Sequence, residues 1–330
     1  MKIGVFWRKF RNVEFQKRLT PDNVYDDAYA EAHQHYEAIK GAGFDAVLIE
    51  WTGKPLELYD VLMEGKVDLI FNVSSLEEAI FLENFGIPYV GSGIDLLATD
   101  KSVRKNIVSH YGVPTPNFVI AESPESIPLN NLNYPLFVKP VRGRGSAGID
   151  NENIIEKGED LPKVVAKITD NIGQGALIEE FIEGREISVG IIGYKDIEIL
   201  PLLEIGYNTA LTNTYEEKMF GKASISCPAN LPRSVEENIK TIAEKAYRAL
   251  NVKDYGRIDF ILNKDNIPFF LEINTYAGLT MLDGDEEEKL HHGYMGYMAK
   301  AKGYTRAEFI GKIVESGIER YALVKKMDVS

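Results

Sequence analysis

The segments YGRIDFIL (255–262) and PFFLEINT (268–275), with Lys264-Asp265-Asn266-Ile267 between them, decide how this chain is read. Both are short, apolar and rich in β-branched and aromatic residues, the pattern of paired strands. Asp-Asn suits the positive-φ positions of a two-residue hairpin turn, so Asp265-Asn266 is expected to form the bend. Arg257 then lies opposite Asn274, and Asp259 opposite Glu272. Strand side chains alternate, so these four share one face. Ile258, Phe260 and Leu262 meet Ile273, Leu271 and Phe269 on the other face, which is wholly apolar and must be core. Non-hydrogen-bonded partners in such a ladder approach to about 4.5 Å between Cα atoms. Two carboxylates and an amide oxygen therefore converge beside an arginine. Hard oxygen donors in this arrangement suit Mg²⁺, which keeps positions for water and phosphate. A salt-bridged solvent face does not explain why two acids oppose each other, which is normally unfavourable.

Working outward, KPVRGRGSAG (139–148) follows the apolar run PLFV. Gly143, Gly145 and Gly148 let the backbone bend and bring its N–H groups to an anion. Ser146 adds a hydroxyl, and Lys139 stands at the strand end. The segment lacks the GK[ST] ending of a Walker A loop. Asp100-Lys101 opens a helix, with Asp as its cap. ALIEEFIEGREISV (176–189) sets Glu179, Glu180 and Glu186 around a connection between strands, where acids can accept from an adenine amine or ribose hydroxyls.

The N-terminal third alternates short apolar runs (2–6, 46–49, 67–71, 87–90) with helical stretches from Thr20-Pro21 to Gly41 and over 76–85. That rhythm implies parallel βαβ units. Beyond Asp100 come a helix (101–111), a helical stretch near 159–169, strands at 176–181, 185–193 and 196–205, an irregular segment 207–232 and a helix 234–250.

The 330 residues carry 37 Lys+Arg against 50 Asp+Glu, a net charge of −13. An acidic balance argues against nucleic acid or an anionic membrane as partner. It does not argue against a small phosphate ligand. Cys227 is the single cysteine, so neither an internal disulfide nor a zinc cluster is expected. It reads as a small buried residue rather than a nucleophile. No run approaches the ~18 apolar residues of a membrane helix, and the start does not read as a signal peptide, so a cytoplasmic location is expected.

In this order, GIPYVGSG…DK (86–101), YPLFVKPVRGRGSAGI (134–149), LIEEFIEGREISV (177–189), YEEK…CPANL (215–231), GRIDF (256–260) and LEINTYAGLT (271–280) resemble the D-alanine–D-alanine ligase branch of the ATP-grasp superfamily. The resemblance implies an ATP-grasp α/β fold with α+β lobes. An N-terminal parallel α/β lobe (1–95) would precede a central ATP-grasp lobe (96–183) and a C-terminal ATP-grasp lobe (184–330), with ATP between the last two. Lys101 and Lys139 would bind phosphates, and Gly145 and Ser146 would cover them. Glu179 would face adenine, with Glu180 beside it, and Glu186 the ribose. Lys218 would reach the γ-phosphate, and Arg257 would stabilise a tetrahedral intermediate. Asp259, Glu272 and Asn274 would hold Mg²⁺ or Mn²⁺, in agreement with the hairpin. Arg257, Lys218 and Ser146 are the catalytic expectation. The implied reaction joins a small-molecule carboxylate to an amine through an acyl phosphate. A homodimer through the N-terminal lobe is a further implication of the resemblance alone.

The sequence departs from the family on the substrate side. The GGxSxE motif is missing, and Glu14 is the nearest acid. The HGxxGEDG loop is missing, since Phe71-Asn72-Val73-Ser74-Ser75 passes almost directly into a helix. Met219 follows Lys218 in place of a tyrosine. Asp283 stands where the family has a serine that contacts a carboxylate. Gly278, Asp283 and Glu14 are the substrate-side candidates. The expectation is a ligase of this type with a different amino-acid or amine substrate, the run Asp283–Glu288 favouring a cationic acceptor. The alternatives are a D-alanine–D-alanine ligase with a divergent N-terminal lobe and a non-catalytic ATP-binding protein.

Overall fold

The computed structural model describes residues 1–7, 28–52, 54–72, 76–93, 100–128, 132–142, 151–206, 224–282 and 293–323. Three sheets organise these residues. The first is parallel, with order β2-β1-β3-β4: β1 Lys2–Trp7, β2 Asp45–Glu50, β3 Leu69–Phe71 and β4 Tyr89–Val90. Parallel neighbours need crossovers of a dozen or so residues. Helices α1 (Ala28–Gly41), α2 (Pro55–Gly65) and α3 (Leu76–Asn84) supply them. The sequence reading left out α2. Its turn-like entry, Thr52-Gly53-Lys54-Pro55, hides a helix that starts with proline at its first turn. The start of α1 expected at Thr20-Pro21 lies outside the described residues.

Both faces of this sheet are covered. Ile3, Val5, Leu69 and Phe71 pack with Ile39 of α1, while Phe6, Ile49 and Ile70 pack with Leu58, Leu62 and Leu82. The first face is completed from the far end of the chain. After α7 (Tyr294–Lys302), the last helix among the described residues, α8 (Arg306–Arg320), brings Phe309, Ile310, Ile313 and Val314 against it. Thr305 and Glu308 close a reciprocal capping box at its start.

The second sheet is antiparallel, with order β5-β8-β6-β7: β5 Phe118–Ala121, β6 Leu136–Pro140, β7 Ile154–Ile155 and β8 Ala176–Glu180. Helix α4 (Lys101–His110) precedes it, and α5 (Leu161–Ile172) packs Val164, Val165 and Ile168 on Leu136, Val138 and Ile178.

The third sheet is also antiparallel, with order β12-β11-β9-β13-β14: β9 Gly184–Gly193, β11 Leu203–Gly206, β12 Ser224–Ser226, β13 Tyr255–Asn263 and β14 Pro268–Asn274. β10 (Ile197–Ile199) pairs with β9. The single strand expected over 196–205 is thus two strands, with Pro201 in the gap where a ladder N–H would be missing. β12 falls in the segment expected to be irregular. Helix α6 (Arg233–Ala249) covers one face, its Ile239, Ala243 and Tyr247 packing on Ile187, Val189, Ile191, Ile258, Phe260, Phe270 and Ile273.

The hairpin turn differs from expectation. Asn263 pairs with Ile267, and Asn266 takes a left-handed φ of 58°, so Lys264-Asp265-Asn266 form a three-residue loop. Leu262 therefore opposes Pro268, and Phe260 opposes Phe270. A register shift between Asp259 and Phe260 leaves Leu271 as the extra residue. Beyond it the pairs are those expected: Asp259 with Glu272, Ile258 with Ile273, Arg257 with Asn274. The core residue on this stretch is Phe270, edge-on to Phe260 at 6.2 Å, while Phe269 and Leu271 are only half-buried.

The first and third sheets are tied by one buried carboxylate. Asp254, wholly buried, accepts from Gly91 N at 2.8 Å, Ser316 Oγ at 3.0 Å and Arg320 Nη2 at 2.7 Å. Arg320 also donates to the Gly91 carbonyl. No helix among the described residues is long and apolar enough to cross a membrane.

Candidate active site

The inner face of the third sheet carries Arg257 and Asp259 on β13, Glu272 and Asn274 on β14, and Glu186 and Ser188 on β9. The opposite face of each strand faces α6, so alternation leaves these polar groups to the other side. Arg257 donates from Nε and Nη2 to the two oxygens of Asp259, at 2.8 Å each. Ser188 Oγ donates to Asp259 Oδ1 at 2.6 Å. Asn274 Nδ2 lies 2.9 Å from Asp259 Oδ2 and 3.3 Å from Glu272 Oε1. The guanidinium stacks 4.9 Å over Tyr294. Burial disfavours its charge, but the Asp259 carboxylate outweighs this and holds Arg257 charged, above its usual range.

The donor set fits a hard divalent ion. An N–H group bridging two carboxylates marks a position that favours positive charge, and the two acids with the Asn274 amide are all oxygen donors. Among the described residues no cluster of three or more His, Cys, Asp or Glu has a metal-holding arrangement, and here the third group is an amide.

Helix α4 brings the cations. Asp100 caps it, accepting from Ser102 N at 3.0 Å. Lys101 N and Nζ donate to the carbonyls of Val141 and Pro140, docking the helix start on the end of β6. Burial brings the Lys101 ammonium down to about 8, with Glu272 the strongest charge opposing that shift and Lys139, Arg104 and Glu179 also acting on it. Lys139 Nζ is 2.5 Å from Glu179 Oε1, and Lys105 Nζ is 3.0 Å from Glu179 Oε2. Burial likewise brings Lys105 to about 8. Desolvation alone would raise the Glu179 carboxyl, but its two lysines hold it below the ordinary value.

Lys105 escaped the sequence reading. Its signal is the i, i+4 spacing from Lys101, which puts both on one side of α4 with buried Val108. Glu179, expected at adenine, has each oxygen on a lysine. Glu180 does not join the group: strand alternation turns it to Asn117 Nδ2 (3.0 Å) and Asn133 Nδ2 (2.7 Å). Glu186 is buried two positions from Ser188 on the same face. Glu14, Gly145, Ser146, Lys218 and Asp283 lie outside the described residues. Cys227 is half-buried, and burial pushes its thiol up to about 11, which disfavours the thiolate a nucleophile needs.

Gly278 lies at a backbone crossing. A Cβ on facing Gly293 would stand 2.2 Å from the Gly278 carbonyl oxygen. The same loop then reaches α1: Thr280 Oγ1 donates to Glu31 at 3.2 Å, and Met281 N to Gln34 Oε1 at 3.1 Å. Beside them His35 is wholly buried, 3.8 Å from Glu31 and edge-on to Phe71. Gln34 Nε2 and both nitrogens of His35 have no hydrogen-bond partner among the described residues. Spacing alone does not single out this group, because Phe71 comes from β3 and Thr280 and Met281 from a distant loop.

The family model for the D-ala D-ala ligase C-terminus matches residues 107–315. The chain belongs to the D-alanine–D-alanine ligase family. It is 31% identical over 282 residues to the D-alanine–D-alanine ligase of Bordetella avium, covering 83% of this chain and 84% of that one. Its fold is that of the D-alanine–D-alanine ligase of Bacillus anthracis complexed with ATP, with TM-score 0.75, 20% identity, and coverage of 98% and 99%. The VanG D-Ala:D-Ser ligase of Enterococcus faecalis also shares the fold, with TM-score 0.70, 21% identity, and coverage of 96% and 99%. The ATP-grasp fold expected from sequence is thus borne out, and the ligase family makes this chain an ATP-dependent enzyme that forms C–N bonds.

Proposed function

We propose that this chain joins a carboxylate to an amine through an acyl phosphate, using ATP, and that its amino-acid or amine substrate differs from the D-alanine pair. The observation that carries the chemistry is the meeting of two groups. The Arg257–Asp259–Glu272–Asn274 face lies in the electrostatic field of three buried lysines, Lys101, Lys105 and Lys139. A triphosphate needs the cations, and the acids suit the divalent ion that accompanies it.

In this reading Asp259, Glu272 and Asn274 hold Mg²⁺ or Mn²⁺, which neutralises phosphate charge when bound. Lys101 and Lys139 bind phosphate oxygens. Lys218, Ser146 and Gly145 complete the phosphate side. Glu186 takes ribose, and Glu179 borders the adenine end. A substrate carboxylate oxygen attacks the γ-phosphorus and ADP leaves. The amine nitrogen then attacks the acyl carbon, inorganic phosphate leaves, and the amine gives up a proton. Arg257 faces the charge that builds on the oxygen of the tetrahedral intermediate. The three sheets support a division into lobes 1–95, 96–183 and 184–330, with a homodimer in the cytoplasm as the working assembly.

The substrate side supports the second half of the proposal. The family's GGxSxE and HGxxGEDG motifs are missing from the sequence, and Glu31, Gln34, His35 and Thr280 stand together instead. Gly278, Asp283 and Glu14 remain the candidates carried from the family pattern. The D-Ala:D-Ser ligase shows that one fold serves more than one amino-acid pair. Phosphate release from ATP should be measured with D-alanine and with a panel of amino acids, amines and short peptides. Product with a panel member and little with D-alanine is expected; strong D-alanyl-D-alanine formation returns the chain to the alternative.

A further inference from the structure

We propose that Lys105 is a positioning residue: its ammonium balances Glu179, so that Lys139 keeps a net positive charge for the triphosphate. This deepens the nucleotide reading above and rests on it.

Lys105 is wholly buried and bears none of the roles carried over from the family pattern. Its Nζ stands 3.0 Å from Glu179 Oε2, and it donates to Thr115 Oγ1 at 3.1 Å and to the Phe270 carbonyl at 3.2 Å. Glu179 gives its other oxygen to Lys139 at 2.5 Å. One carboxylate with one lysine is a neutral couple. One carboxylate shared by two lysines leaves a positive charge over. All three side chains are buried, so little water screens that excess.

The same contacts set position. Glu179 is on β8 of the second sheet, and Phe270 is on β14, the edge strand of the third. Arg104 Nη1 takes the neighbouring edge carbonyl, Ile273 O, at 2.9 Å, and Phe270 N donates to Pro114 O. Lys105 is the member of this set that touches both sheets, so its charge is fixed at the junction where the nucleotide would lie.

The test compares Lys105→Met with Lys105→Arg, measuring Mg-ATP and adenosine affinity by calorimetry. Lys105→Met should weaken Mg-ATP about tenfold and change adenosine less than about twofold, since adenosine has no phosphate. Lys105→Arg keeps a cation beside Glu179 and should bind Mg-ATP within about threefold of the unmodified chain. That arm stands even if Lys105→Met does not fold. Unchanged Mg-ATP affinity in Lys105→Met, an equal loss for adenosine, or Lys105→Arg about tenfold weak each overturns the assignment. Failure of the unmodified chain to bind Mg-ATP overturns the nucleotide reading itself, before any variant is made.

Discussion

Arg257 places two hydrogen bonds on Asp259, two residues along the same strand, at 2.8 Å each. The pair is buried and doubly hydrogen-bonded, so the arginine cannot swing away without leaving a buried carboxylate that has only Ser188 and Asn274 and no bonded cation. Arg257→Lys keeps the charge and loses the fork. It should lower kcat by roughly 10²-fold or more, the scale for removing one preorganised donor from a developing charge. ATP affinity should move far less. Single-turnover acyl transfer measured beside nucleotide binding checks the split, and equal losses in both would place Arg257 in ground-state binding.

Glu272 and Asn274 meet at one amide nitrogen, 3.3 Å from the carboxylate. Glu272→Gln removes a negative charge from the proposed ion site while keeping the shape. Mn²⁺ affinity in the presence of ADP, followed by electron paramagnetic resonance, should fall about tenfold or more. A chelator should abolish phosphate release, and excess Mg²⁺ should restore it.

The two lysines held near 8 give a signed pH dependence. Lys101 and Lys105 are protonated at pH 7 and lose charge as pH rises through about 8. Triphosphate affinity should therefore decline between about pH 7.5 and 9. Stability moves the other way. From about 8 up to their ordinary value of 10.5, the unfolded chain holds more protons than the folded one, so the contribution of these groups to stability rises with pH. Parallel titrations of affinity and denaturant midpoint separate the two trends.

Arg320→Met strips Asp254 of its cation and leaves a buried carboxylate with Gly91 N and Ser316 Oγ. Breaking a buried pair from one side costs about 3–5 kcal/mol. Urea unfolding should show a loss of that order. Asp254→Asn/Arg320→Met should recover part of it, because no charge is then left in the interior.

The sequence made the site's acids legible because alternation in two strands is a strong constraint, and it made the first sheet legible because apolar runs and helical stretches took turns. Three features stayed hidden. The two-residue turn at Asp265-Asn266 was wrong, yet Asp259 still opposes Glu272, because the bulge at Leu271 shifts the register back; the cost of the misreading fell on the core, where Phe270 rather than Leu271 and Phe269 is buried. Helix α2 was masked by Gly53 and Pro55, although a parallel link between β2 and β3 requires a crossover there. Lys105 meets Glu179 and Phe270, and His35 meets Phe71, far along the chain, and spacing within one sequence segment does not register such contacts.

The return of α8 to the first sheet has a consequence for the order of events on the ribosome. Domains usually complete themselves in the order in which they are made. Here Ile3, Val5, Leu69 and Phe71 wait for Phe309, Ile310, Ile313 and Val314, so one face of the N-terminal sheet is covered only by α1 until residues 309–314 have emerged. Emergence of residues 309–314, rather than completion of residues 1–90, is the moment at which that face of the N-terminal sheet closes. A stop codon before Arg320 would be felt at residue 91.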